Sequence, residues 1–243
     1  AAKHRLIQIR NDVVIETWIE HVDYPFLEQH GKEVDLILDA TDNFDTRQLI
    51  NDFSYKHHIP WIYGGVVQST YAEATFIPKQ TPCFNCLMPQ LPSVNLTCDT
   101  VGVIQPAVTM TTSLQLKDAL KLLTGHDIKP QLTYGDIWEG DHYRIGFSKM
   151  HQDQCPTCGS RPHFPYLNQE RQNYATLCGR DTVQYKNKNI SQEILTTFLE
   201  QHHIHYRTNH YMTIFKFRGH RIVAFNGGRF LIPVSYTHLR AHE

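Results

Sequence analysis

The sequence has little of three features: long apolar runs, net charge of one sign and, in its first residues, the pattern of a signal peptide. From these we expect neither a membrane-spanning, a polyanion-binding nor a secreted protein. No stretch approaches the ~18 consecutive apolar residues that a membrane-spanning helix needs. The N-terminal residues AAKHRLIQIRND contain no apolar segment of the kind that a signal peptide requires. The 23 Lys and Arg side chains nearly balance the 24 Asp and Glu side chains, so the charge indicates neither a nucleic acid nor a membrane surface as a partner. We therefore expect a cytoplasmic protein that binds neither nucleic acid nor membrane.

Cysteine is scarce, with six residues in 243, but four of the six form two C-x-x-C pairs. The pairs are Cys83 with Cys86 and Cys155 with Cys158. In a reducing cytoplasm such pairs favour metal binding or catalysis over structural disulfides. Two pairs supply four thiolates, the ligand set that zinc prefers in structural sites. We predict a structural zinc site, with buried small side chains or a redox pair as the alternatives.

Cys98 stands apart from these pairs, in the polar segment NLTCDTVGV that precedes a predicted helix. A helix N-terminus lowers the pKa of a nearby thiol, so Cys98 is a candidate nucleophile. The adjacent Asp99 disfavours the thiolate, and an ordinary free cysteine remains the alternative. Cys178 has no C-x-x-C partner and is predicted to pack.

The hydrophobic pattern of the first 160 residues predicts an α/β fold. The apolar segment Val34 to Leu38 is typical of a buried strand, the helical spacing from Phe44 to His57 predicts a helix, and WIYGGVV predicts a second strand. This order implies a right-handed crossover and a parallel, doubly wound, Rossmann-like sheet. Three further elements are expected: a strand at TYAEATFI, a helix from Gln105 to Thr124, and a hairpin formed by LTYGDIWEG and HYRIGFSKM.

The chain divides into three parts. Residues 1–160 form the predicted α/β domain, and residues 161–232 form a small α+β extension with a strand, a helix from Ser191 to Gln201 and three short strands. Residues 233–243, PVSYTHLRAHE, coincide with the translation of a transposon-end adapter used in preparing sequencing libraries. We interpret this tail as non-native and exclude it from fold reasoning. An intact gene that still encodes the tail would contradict this interpretation.

The acidic segment DATDN follows the first predicted strand at its carboxyl end. Ligands of open α/β sheets bind at such ends. Asp42 is a candidate Mg²⁺ ligand because carboxylate oxygen suits that ion, and Asn43 is a candidate for hydrogen bonds to a nucleotide. The alternative is that both residues only cap the following helix.

The order of six motifs resembles the MoeB/ThiF/HesA family, the bacterial relatives of ubiquitin-activating enzymes. The motifs are DLILDATDN, WIYGGV, PCFNC, NLTCDTVGVIQP, LKLLTG and CPTCG, and the resemblance covers about residues 1 to 160. It implies ATP-dependent adenylation of the C-terminal Gly-Gly of a ubiquitin-like sulfur carrier protein, for molybdopterin or thiamine-thiazole synthesis. The segments LCGRDTVQ and FNGGRFLI resemble the C-terminal module of longer members.

The resemblance also implies roles for individual residues. Asp42 becomes the aspartate that binds Mg²⁺ and ATP, and Asn43 becomes its neighbour in the nucleotide site. The four paired cysteines become structural zinc ligands: Cys83, Cys86, Cys155 and Cys158. Cys98 matches the cysteine that some members use to form a covalent bond with the carrier. Members of the family are commonly homodimers.

One departure from the family pattern is the absence of a G-x-G-x-x-G phosphate loop from all 243 residues. The simplest interpretation is that the first βαβ unit is missing by N-terminal truncation, so we expect these residues by themselves not to adenylate. A non-catalytic, zinc-stabilised protein-binding module is the alternative function. A Rossmann dehydrogenase ranks last, because it needs no zinc tetrathiolate joined to DATDN.

Overall fold

The computed structural model describes residues 2–88, 102–167, 174–177, 182–187 and 189–233, and its regular elements form two groups. The helices, numbered in chain order, are α1 (Ala2–Ile9), α2 (Tyr24–His30), α3 (Phe44–His57), α4 (Phe84–Leu87), α5 (Gln105–Leu123) and α6 (Gln192–Gln201). The strands of the first group are β1 (Ile37–Leu38), β2 (Trp61–Val67), β3 (Thr70–Phe76), β4 (Gln131–Asp136) and β5 (Tyr143–Gly146). The strands of the second group are β6 (Tyr174–Leu177), β7 (Thr182–Lys186), β8 (Tyr206–Thr208), β9 (Met212–Phe217), β10 (His220–Phe225) and β11 (Arg229–Pro233).

The first sheet has the strand order β1-β2-β3-β4-β5 among the described residues and is mixed. Of the described strands of this sheet, only β1 and β2 run parallel, with Ile37 opposite Trp61, and the other strand pairs are antiparallel. The expected doubly wound parallel sheet is therefore wrong beyond this first pair. The reason lies in the connection from β2 to β3: Val67 pairs with Thr70, and a two-residue turn can only reverse the chain.

Helices cover both faces of this sheet, as the Rossmann-like expectation required. On one face, the side chains of Trp61 and Tyr63 pack with Phe84 of α4 and Ile50 of α3 in the main hydrophobic core. On the other face, Gly64 lies against α5 so closely that an added Cβ would come within 2.5 Å of Gln115 Nε2. Strand β2 thus lies between α3 and α5.

The expected helices of the first group agree with the structure because their end signals are local. Asn43 caps α3, accepting a hydrogen bond of 2.8 Å from the amide of Thr46. Pro106 lies in the first turn of α5, and Gly125 follows its end with a φ of +74°. The expected first strand, Val34 to Leu38, is shortened to Ile37–Leu38. Val34 precedes β1 and is exposed, and β1 is an edge strand that pairs with β2 alone among the described strands.

The expected hairpin is confirmed as β4 and β5, with Leu132 opposite Ile145. Beyond β5, Phe147 enters the main core and the chain turns toward the second C-x-x-C pair. The hairpin therefore returns the second cysteine pair to the first, which follows β3.

The second group is an antiparallel sheet in the order β6-β7-β11-β10-β9-β8, with α6 packed on one face through Leu195 and Leu199. Four strands follow α6 among the described residues, so the expected count of three is wrong. A tight turn separates β8 from β9: Asn209 Oδ1 accepts hydrogen bonds from the amides of Tyr211 at 2.8 Å and Met212 at 3.0 Å. Cys98, Cys178 and residues 234–243 lie outside the described residues. None of the described helices is long and apolar enough to cross a membrane.

Candidate functional site

The two C-x-x-C pairs meet in the core beside the first sheet. All four Sγ atoms lie within 4.8 Å of one another, with Cys83 and Cys155 at 3.5 Å and Cys86 and Cys158 at 3.5 Å. A tetrahedral metal with metal–sulfur bonds of ~2.3 Å separates its sulfur ligands by roughly 3.8 Å. The cluster can therefore hold a metal ion with little movement of its side chains, and the predicted grouping of these cysteines is confirmed.

The ionisation of the thiols shows why a cation fits among them. Contact with Cys155 raises the pKa of the Cys83 thiol, whereas contact with Cys158 lowers the pKa of the Cys155 thiol. These opposite shifts arise because neighbouring buried sulfurs share protons and cannot all become anions together. A bound dication would replace those protons and stabilise four thiolates.

Side chains from α3 and from both C-x-x-C segments hold the cysteine cluster in place through the Thr157 hydroxyl. This hydroxyl donates to Asp52 Oδ1 at 2.5 Å and accepts from the Asn85 side chain at 2.8 Å. Asn51 adds a contact of 3.4 Å to the same hydroxyl and accepts from the amide of Phe84 at 3.0 Å. Burial raises the pKa of Asp52 to about 6. The middle of α3 is thus hydrogen-bonded to both C-x-x-C segments.

A buried ion pair organises the DATDN segment at the carboxyl end of β1. Arg47 Nε donates to Asp39 Oδ2 at 3.0 Å, and the second Asp39 oxygen accepts from the amide of Thr41 at 2.8 Å and from its hydroxyl at 2.6 Å. Arg47 also donates to the carbonyl oxygens of Thr41 at 2.6 Å and Gly64 at 2.9 Å. One guanidinium therefore joins the end of β1, the following loop and β2.

The same loop is held from the other face of the sheet by Gln115 of α5. Its Nε2 donates to the carbonyl of Asp39 at 2.7 Å. The close approach of α5 that this bond needs is possible because residue 64 is glycine. The loop is therefore a rigid platform between two helices.

The two predicted nucleotide-binding residues lie on this platform in different environments. Asp42 is exposed, and its Oδ1 accepts from the Asn43 side chain at 3.3 Å. Asn43 is half-buried, and its side-chain oxygen is occupied in capping α3. The capping alternative is therefore correct for the Asn43 oxygen, whereas Asp42 is free to meet a ligand. Cys98, the candidate nucleophile, lies outside the described residues.

Sequence reasoning missed the residues that position this platform: Asp39, Arg47 and Gln115. The available signal was the pair of opposite charges on either side of Asp42, with Asp39 directly after the strand and Arg47 on the following helix. A charged residue on a helix that is buried over nine consecutive positions, as Arg47–Tyr55 are here, must be paired. The burial itself was not readable from the sequence.

Comparisons with known proteins point to one family. The model of the ThiF family matches residues 1–158. A Bacillus subtilis protein named sulfur carrier protein ThiS adenylyltransferase is 37% identical over 236 residues, which are 96% of this chain and 70% of that protein. A Thermus thermophilus sulfur carrier protein adenylyltransferase is 30% identical over 155 residues, 60% of this chain and 55% of that protein. The chain thus spans between about half and about two thirds of these relatives.

Solved structures share the fold of the first group. The E. coli MccB structure with ATP superposes with a TM-score of 0.53 at 16% identity, covering 65% of this chain and 49% of MccB. At that identity the similarity concerns the fold alone.

Proposed function

Since this chain belongs to the ThiF family, we propose that the protein containing it adenylates the C-terminal carboxylate of a ubiquitin-like sulfur carrier protein. The observation that carries the proposal is the 37% identity to a ThiS adenylyltransferase, which extends over 96% of the chain. Because that match includes the C-terminal extension, a carrier of thiamine-thiazole synthesis is favoured over one of molybdopterin synthesis.

Adenylation is chemically suited to the platform at the end of β1. A carboxylate is a poor electrophile until AMP provides a leaving group, and the triphosphate must be neutralised while the carboxylate attacks. Asp42 would hold Mg²⁺, which supplies that neutralisation when bound. The Asn43 side-chain oxygen caps α3, and its nitrogen donates one hydrogen to Asp42 at 3.3 Å, which leaves a second N–H for a nucleotide. Arg47 and Gln115 keep Asp42 in place through the Asp39–Thr41 backbone.

The four clustered cysteines would hold a structural zinc ion, because they present four sulfur ligands and leave no position for a substrate. The zinc would join the loop after β3 to the end of the β4–β5 hairpin and, through Thr157, to α3. Cys98 would act after adenylation, by forming a covalent bond with the carrier. We also propose a homodimer, which sedimentation analysis tests directly.

The experiment that tests the function is ATP–pyrophosphate exchange with the full-length protein that contains this chain. Exchange should require a carrier that ends in Gly-Gly, and it should be faster with a thiazole-pathway carrier than with a molybdopterin-pathway carrier. A carrier that lacks the two terminal glycines is the matched control. Absence of exchange with every Gly-Gly carrier, in protein that retains its zinc, would refute the proposed activity.

A non-catalytic binding module is the second candidate, favoured by the absence of a G-x-G-x-x-G segment from the 243 residues. Such a module would bind a carrier with the same affinity whether or not ATP is present. It would also contain zinc, so the zinc content does not separate the two candidates, whereas the exchange reaction and the effect of ATP on carrier affinity do.

A further inference from the structure

A cation-lined cavity of about 390 Å³ lies between the second half of α5 and the β4–β5 hairpin. Its charged wall consists of four cations and two carboxylates: Lys117, Lys121, Lys129, Arg144, Asp118 and Asp127. None of these residues belongs to the cysteine cluster or to the DATDN platform. Cavities of a few hundred Å³ are the size that small-molecule ligands occupy.

Several donors in this cavity have no partner among the residues that the structure describes. Lys121, Lys129 and Arg144 form no salt bridge with any described residue, whereas Lys117 contacts Asp118 at 3.0 Å. Thr133 lines the same cavity and is only 4% exposed, and its hydroxyl makes no hydrogen bond within the described part of the chain. A buried hydroxyl that faces a cavity without a partner is a donor available to a ligand.

The net charge of the cavity depends on two neighbouring buried carboxyl groups, Asp118 in its wall and Glu73 behind it. The Thr75 hydroxyl lies 3.2 Å from Glu73 Oε1 and 3.1 Å from Asp118 Oδ2. One hydroxyl proton can satisfy only one of two carboxylates at a time, and buried carboxylates this close together favour a proton on one of them. Burial, with Asp118 nearby, raises the pKa of Glu73 to about 8. Glu73 is therefore neutral at pH 7, and the four cations exceed the two remaining carboxylates by two charges.

We propose that this cavity binds the phosphate group of a small phosphorylated metabolite. An excess of two positive charges matches a phosphate dianion better than a monoanionic carboxylate. Arg144 and the two unpaired lysines supply charged donors, and Thr133 supplies a neutral donor from the wall. The volume exceeds what orthophosphate alone would fill, which leaves room for a small organic group. The site is independent of the proposed adenylation, because it shares no residue with the platform.

The test is isothermal titration of the full chain with glycerol 3-phosphate and, separately, with orthophosphate, at constant ionic strength. Wild-type protein should bind glycerol 3-phosphate, and Arg144→Gln should weaken the binding about tenfold. Lys129→Gln should have a similar effect, and Thr133→Val a smaller one. Arg221→Gln, an exposed strand arginine of β10 in the second group, is the matched control and should bind as the wild type does.

The outcomes distinguish a phosphorylated metabolite from free phosphate as the ligand. They also distinguish failure of the phosphate site from failure of the proposed adenylation. Tighter binding of glycerol 3-phosphate than of orthophosphate supports a phosphorylated metabolite, whereas equal binding would replace it with free phosphate. Identical titrations for wild type and Arg144→Gln, with circular dichroism showing both folded, would overturn the site. Asp42→Ala should leave phosphate binding unchanged, so failure of this site and failure of the adenylation proposal are distinguishable.

Discussion

Arg47 Nε lies 3.0 Å from Asp39 Oδ2, with the arginine side chain 10% exposed and the aspartate side chain 0% exposed. This ion pair joins α3 to the end of β1. Both of its side chains also form hydrogen bonds with the backbone of Thr41, next to Asp42. A charge pair in so dry a position is costly to create, and it is more costly to break on one side. The pair therefore makes the geometry of the loop dependent on a single guanidinium.

Replacing Arg47 by Met should destabilise the protein by about 3–5 kcal/mol, because the buried Asp39 carboxylate loses its partner. Urea denaturation followed by circular dichroism measures this change. Arg10→Met is the matched control, since Arg10 pairs with Asp12 at 2.7 Å but both side chains are more than half exposed. The control should leave the free energy of unfolding unchanged. Equal unfolding midpoints for the two variants would show that the buried pair has no special role.

Asp42→Ala should abolish ATP–pyrophosphate exchange in the full-length protein while leaving the unfolding free energy nearly unchanged. Asp42 is exposed, and its one described hydrogen bond is a long contact with Asn43, so its removal costs the fold little. Asp45→Ala, in the first turn of α3 and also exposed, should keep the exchange activity. If both variants are active, Asp42 does not hold the metal and nucleotide.

Mass spectrometry of the purified, reduced protein should find a single zinc ion per chain, and Cys155→Ser should lose it. The Thr157 hydroxyl links the cluster to α3 through a hydrogen bond with Asp52, and it links the two C-x-x-C segments through one with Asn85. Removal of the metal by a chelator should therefore lower the midpoint of thermal unfolding of the wild type. Cys98→Ser is the control and should retain zinc and exchange activity, with any loss confined to later sulfur transfer. Full zinc content in Cys155→Ser would contradict the tetrathiolate assignment.

The parts of the fold that the sequence predicts correctly are those with local signals. Asn43, Pro106 and Gly125 mark the ends of α3 and α5, and each acts on backbone groups only a few residues away. The two cysteine pairs were also grouped correctly, because ligand chemistry links them without any knowledge of the sheet.

The parts that sequence reasoning missed depend on contacts between distant residues. The turn between β2 and β3 places Gln68, a non-glycine residue, at a φ of 54°, so no glycine signalled a hairpin there. The burial of Arg47 depends on the Gly64 carbonyl, 17 positions along the chain, and on the approach of α5 to the opposite face. Neither relationship has a pattern in the sequence around Arg47.

The pH dependence of stability should identify Glu73 as a protonated group in the folded protein. Its pKa is raised from 4.5 to about 8 by burial, so between these values the folded state holds a proton that the unfolded state has released. The free energy of unfolding therefore falls as the pH rises through this window. Glu73→Gln cannot ionise and keeps an N–H donor toward Asp118, so it should match the wild type near pH 5 and exceed its stability at pH 8 by about 3–4 kcal/mol. Asp52, whose pKa is raised to about 6, titrates in both proteins and cancels in the difference. Glu139→Gln, an exposed change in the β4–β5 turn, should follow the wild-type profile, and parallel curves for wild type and Glu73→Gln would mean that Glu73 is ionised at neutral pH.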